Sequence, residues 1–137
     1  MARGSYVANG NILPFSICKF DTSSGNSGKV LQAGSGDIPM GVAQCQQDQA
    51  PLAGLQSGYA AVAGENIAVY DPADPENQTL IRVDAAYPQG TLIKPGSNGI
   101  GTQATADGDY YIGRLMQASL VANDVVMIMV IFGMRGA

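Results

Sequence analysis

Eleven acidic side chains and two cysteines are the groups in this 137-residue chain best suited to chemistry. Asp71, Asp74 and Glu76 stand close together in DPADPENQ, and oxygen ligands at short spacing can hold calcium. Pro72 and Pro75 stiffen that stretch and the spacing is not that of an EF-hand, so it reads as a solvated acidic loop. Asp107 and Asp109 flank Gly108, which is ordinary hairpin-turn chemistry. Two carboxylates can support glycoside hydrolysis. Nothing in the sequence places this pair in a pocket, however, and the chain has no tryptophan to stack on a sugar. Cys18 precedes Lys19, and a nearby lysine can lower a thiol pKa. Neighbours along a strand point to opposite faces, so Cys18 reads as a structural thiol. Cys18 and Cys45 are too few for a disulfide framework. One bridge is open to them, but two reduced, buried thiols are the favoured reading, since free cysteine packs as a small hydrophobe.

The chain contains no histidine. That excludes Ser-His-Asp and Cys-His catalysis and histidine-ligated metal sites. Its glycine motifs lack the Gly-Lys-Ser/Thr of a phosphate cradle. No nucleophile–base pair, metal site or cofactor fingerprint is left, so the expectation is a non-enzyme with no cofactor. A net charge of -4 argues against direct nucleic-acid binding, which needs a basic face to displace counterions from phosphate. It also removes the attraction to anionic lipid. The longest apolar run, Val125 to Phe132, is far short of the ~20 residues a membrane helix needs. No signal-peptide pattern follows Met1, so a protein used without secretion is expected. Hydrophobic residues make up 46% of the chain and charged ones 13%, which rules out charge-driven disorder.

The elements that would position any site are short apolar or alternating runs cut by Gly, Pro, Asn, Asp and Ser. They predict strands near Ile12–Phe20, Lys29–Ala33, Met40–Gln46, Tyr59–Ala63, Asn66–Tyr70 and Leu80–Asp84. More are predicted near Gly90–Lys94, Gly101–Thr105, Tyr110–Ser119 and Asp124–Phe132. Strands at this spacing indicate a sandwich or barrel. The expected fold is all-β: a small β-barrel or β-sandwich of about ten short strands with long loops and an extended N-terminal arm. Residues 1–10 form the arm and 11–137 a single β domain. The best helical candidate, Leu115–Ala122, reads equally well as strand plus turn. The Val125–Phe132 run is apolar on both faces, so each face needs a cover. The core is one cover; a second layer of this chain or another subunit is open as the other, and a central core strand is the favoured reading.

A faint internal repeat is visible. Lys19, Gln32-Ala33, Gly36-Asp37, Gly41 and Gln44 are echoed by Lys94, Gln103-Ala104, Gly108-Asp109, Gly113 and Gln117. Two packed, pseudo-symmetric units would explain it, and chance likeness among glycine-rich turns is the rival reading. Three stretches look poorly structured, with solvated connection as the default reading: Met1–Asn11, Gln46–Gly58 with its Pro51-Leu52…Leu55 centre, and Asp71–Gln78.

One order of motifs runs from about Gly10 to Phe132. It begins with Gly10-Asn11-Ile12-Leu13-Pro14, then Lys29–Ala33, Gly36–Val42 (GDIPMGV) and Ala61–Gly64. It closes with Gly90-Thr91-Leu92, Asp107-Gly108-Asp109, Ile112–Ala118 (IGRLMQA) and the last apolar strand. This order resembles the capsid decoration, or cement, proteins of tailed bacteriophages. The resemblance implies a structural virion protein on the outer surface of the phage head, assembled in the host cytoplasm. It implies bridging of major capsid protein subunits, a small homo-oligomer (dimer or trimer), and no catalytic residues. Repeated weak contacts over a shell would sum through avidity. A head-fibre or tail-associated β module is the alternative. From the residues themselves, three contact elements are expected: Arg3, Tyr6 and Val7 on the arm; Pro51, Leu52 and Leu55 in the long connection; and Met134 with Arg135 at the C-terminus.

Overall fold

The computed structural model describes residues 4–23, 25, 28–43, 61–73 and 77–136. They form ten strands in two five-stranded sheets, so the chain is all-β with a barrel, as expected. The first five strands are β1 (Gly4–Ala8), β2 (Ile17–Phe20), β3 (Lys29–Gln32), β4 (Gly41–Ala43) and β5 (Asn66–Tyr70). They close into a barrel in the order β1-β3-β2-β4-β5. The second five are β6 (Gln78–Arg82), β7 (Leu92–Pro95), β8 (Gly101–Gln103), β9 (Tyr110–Leu115) and β10 (Val125–Met134), in the order β6-β10-β9-β7-β8.

The expected arm is corrected over Gly4–Ala8. This segment is β1, antiparallel to β5 and parallel to β3, and it closes the barrel. Its signal is weak because it is short and its partner residues, such as Val69, lie far along the chain. The predicted strand Ile12–Phe20 is broken by a turn. Phe15 sits at φ 59, Ile12 makes only an isolated bridge to Ala61, and the strand proper begins at Ile17. No helix forms at Leu115–Ala122; β9 ends at Leu115 and bends follow.

The faint repeat is a structural duplication, strand for strand. Cys18 pairs with Gln32 and Gly41, and Ile93 pairs with Gln103 and Gly113. The parallel pair Ala8–Val30 has its counterpart in the bridge Val83–Gly101. Connecting turns repeat as well. Ser16 Oγ donates to the Leu13 carbonyl and Thr91 Oγ1 to the Pro88 carbonyl, both at 2.7 Å. The repeated Gly-Asp-x-x-x-Gly element now has a physical meaning. Asp37 accepts from the Gly34 amide (2.7 Å) and pairs with Lys19 (2.9 Å); Asp109 accepts from the Thr105 and Ala106 amides (3.1 and 2.9 Å) and pairs with Lys94 (3.0 Å). Each aspartate thus holds a turn and ties it to a strand. Gly41 and Gly113, four residues on, are close-approach positions. A Cβ on Gly41 would lie 2.5 Å from the Tyr70 carbonyl oxygen, and one on Gly113 2.6 Å from that of Met129.

Each unit carries its own core. Ala8, Ile12, Cys18, Val30, Met40, Ile67 and Val69 fill the first barrel. Ile81, Val83, Ile93, Ile112, Leu115, Val126, Ile128 and Val130 fill the second unit, where Ile17, Ala33 and Val42 join from the first. Burying each such aliphatic side chain is worth roughly 1.5–3 kcal/mol before entropy is counted. The joint between the units is specific. In the first barrel the Val7 amide donates to the Gly28 carbonyl (3.2 Å); its counterpart, the Arg82 amide, donates instead to the Phe15 carbonyl (3.0 Å) of the first unit. The Phe15–Ile17 corner therefore enters the seam between β6 and β8. A Cβ on Gly99 would lie 2.9 Å from Ser16 Cβ, so that approach needs a residue with no side chain.

Candidate contact surfaces

Among the described residues, the thiol and the carboxylates singled out from the sequence have structural surroundings that account for them. Cys18 is fully buried in the first core, and burial pushes its thiol up to about 12, a small backbone hydrogen bond at Ala43 notwithstanding. It is a poor nucleophile and packs as an apolar residue. Cys45, Asp74 and Glu76 lie outside the described residues. Asp107 meets Arg135 at 3.4 Å on the surface. Asp37 is held below the usual carboxylate range, first by the Lys19 hydrogen bond and then by the Gly34 amide. Asp109 is lowered first by the Ala106 amide and then by Lys94. These carboxylates serve turns. Among the described residues, no cluster of His, Cys, Asp or Glu is arranged to hold a metal ion.

What the surface offers instead is an open groove of about 920 Å³ at the side of the first barrel. Phe20 at the end of β2, Ile38 and Pro39 in the turn before β4, and Phe132 from β10 are among its apolar lining. Phe20 is 53% exposed, Ile38 56% and Phe132 47%. Asp21, Asp37 and Asp71 also line it, against a single cation, Lys19. The groove is thus apolar with an acidic rim. Tyr6 stands beside it, its ring edge-on to Phe20 at 5.9 Å and its hydroxyl donating to Asp71 at 3.4 Å. Partial burial, and then the Asp71 charge, raise the Tyr6 pKa. Phe132 stacks on Tyr110, with centroids 5.8 Å apart.

The second surface is the outer face of the β6-β10-β9 sheet. Paired residues share a face, and the register puts Leu80 opposite Met127, Arg82 opposite Val125, and Gln78 and Arg114 on either side of Met129. The inward residues Val126, Ile128 and Val130 are buried, whereas Val125, Met127, Met129 and Ile131 are half-buried and Leu80 is exposed. So the core covers one face of the apolar strand, and no described layer of this chain covers the other.

The residues singled out from sequence fall differently. Arg3, Pro51, Leu52 and Leu55 lie outside the described residues. Tyr6 and Val7 are part of β1, Val7 pairing with Asn66 and Lys29, so neither belongs to a free arm. Met134 ends β10, 56% exposed, and Arg135 reaches Asp107. Sequence reasoning missed Phe20, Ile38, Leu80 and Phe132. Ile38 carried a signal, an aliphatic residue inside a Gly-Asp-x-Pro turn.

Neither a protein-family model nor a curated protein sequence matches the chain. Among solved structures, the chain is similar to the head fibre gp8.5 N base of bacteriophage phi29. The likeness has a TM-score of 0.60 at 12% identity and covers 94% of this chain and 92% of that one. At that identity it speaks to the fold.

Proposed function

We propose that this chain is a structural protein of a tailed-phage head, held on the outer surface of the shell by protein contacts and acting without catalysis or cofactor. The observation that carries the reading is the end-to-end fold likeness to a phage head-fibre base, which spans both the barrel and the second sheet rather than one common module. The surface chemistry supports it. Exposed apolar side chains on rigid strands make contact surfaces, which rest on packing and backbone hydrogen bonds more than on charge. A buried thiol and turn-bound carboxylates fit a part whose work is mechanical.

Within that reading the chain is a decoration or cement protein that bridges neighbouring major capsid protein subunits. The second reading, the base of a head fibre, is favoured by what the structural neighbour itself is. Adding the fluorescently labelled full chain to purified heads that lack it, and imaging the particles, separates the two. Labelling at stoichiometry over the whole shell supports cement. A few discrete sites per head support a fibre base. Heads that bind none of it refute both.

A further inference from the structure

The duplication lets the outer faces of the barrel and of the second sheet be compared position by position. Register equates Leu80 with Ser5, Val125 with Asn66, and Met127 with Ala68. The same fold therefore tolerates small or polar residues at all three places, and nothing about the sheet itself requires Leu, Val and Met there. The adjacent part of the first barrel's outer face, Ile17 and Val42, is buried by the second unit. Its counterparts in the second unit are Leu92 and Arg114. Arg114 is exposed, so the stacking of one unit on the next stops at two. What remains is an apolar, methionine-rich strip of Leu80, Val125, Met127 and Met129, with Arg82 and Arg114 along it. Methionine is well suited to such surfaces, since its side chain adapts to an uneven partner.

We infer that this strip is the docking surface for a second copy of this chain, and that it seats on that copy's acidic groove. Charge and chemistry select the occupant. The strip carries two arginines and no carboxylate, while three of the four ionisable groups of the groove lining with full charge are carboxylates. Among the described residues neither Arg82 nor Arg114 forms an ion pair; Arg82 Nη1 reaches only the Asn123 carbonyl, at 3.5 Å. Each copy thus presents one cationic apolar surface and one anionic apolar surface, the condition for a heterologous contact between identical chains. The inference does not depend on the phage-head reading, because the contact forms without a shell.

The test is sedimentation of the full chain in solution from about 1 to 100 μM, with no heads present. The wild type is expected to show a concentration-dependent mass above that of the monomer. The triple variant Leu80→Ser, Val125→Asn, Met127→Ala takes its residues from the equivalent positions of the first barrel, so it is expected to keep its far-UV spectrum and cooperative melt while sedimenting as a monomer. Arg82→Glu with Arg114→Glu, and separately Asp71→Lys, are each expected to weaken association at least tenfold, and the three changes combined to recover part of it. A wild type that is monomeric throughout overturns the inference, as does a folded triple variant that still associates. Loss of association with no recovery in the combined variant also overturns it, since the strip would then meet its own copy or another surface rather than the groove.

Discussion

Gly113→Ala tests the duplicated architecture at a point of close approach. Gly113 lies in β9 opposite Val130 of β10, and it is buried. A Cβ there would stand 2.5 Å from Ile128 Cδ1, 2.6 Å from Ile128 Cγ1 and 2.6 Å from the Met129 carbonyl oxygen. Ile128 is 0% exposed and packed inside the core of the second unit, and Met129 belongs to the strand pairing of β10 with β9. Relief therefore requires β9 and β10 to separate by several tenths of an ångström, and overpacking of this kind costs about 1–3 kcal/mol, at times more. With a urea m-value of about 1–3 kcal/mol/M, a loss of about 2 kcal/mol moves the midpoint by roughly 1 M. Urea unfolding followed by far-UV circular dichroism reads it directly. Gly136→Ala, where a Cβ meets nothing within 4 Å, is the control and should stay within about 0.5 kcal/mol. Ile128→Val removes the Cδ1 atom in the closest contact. The double variant should thus be less destabilised than the sum of the singles, with the coupling expected between contacting residues. A Gly113→Ala protein as stable as the wild type, or strictly additive behaviour with Ile128→Val, would refute the packing argument.

Gly41→Ala should behave like Gly113→Ala, because its Cβ would lie 2.5 Å from the Tyr70 carbonyl oxygen; a near-neutral effect in the same urea assay would break the equivalence of the two units. Asp37 and Asp109 have depressed pKa values in the folded state, so their contribution is present above the unfolded value of about 3.9 and is lost as pH falls through the folded ones. Thermal melts should therefore lose stability below about pH 4, and Asp37→Asn with Asp109→Asn should flatten that acid limb. Cys18, pushed up to about 12 by burial, should resist iodoacetamide at pH 8 in the native protein and react in urea, as read by peptide mass mapping of that residue; rapid native labelling would contradict its burial. Ile128→Ala should cost about 2–5 kcal/mol in the same unfolding assay, as expected for a fully buried isoleucine, and a loss under 1 kcal/mol would remove it from the core.

The boundary between sequence and structure follows the range of the forces involved. Alternation and turn chemistry act over a few residues, so the all-β class, most of the strands and the Gly-Asp turns could be read along the chain. The repeat could be seen too, because Lys19 with Asp37 and Lys94 with Asp109 are the same local device used twice. Tertiary structure decided what depends on distant partners. Gly4–Ala8 became a strand because β5, some sixty residues on, offered its free edge. The two units became a closed barrel and a sheet wedged open at its seam because the Arg82 amide found Phe15 rather than its own unit. The same reason hid the contact surfaces. Residue types show that β10 is apolar on both faces, but only the packed sheets reveal that Val126, Ile128 and Val130 face a core, whereas Met127 and Met129 face no described layer. Which face is covered is a property of neighbours brought together by folding, and no run of residues contains it.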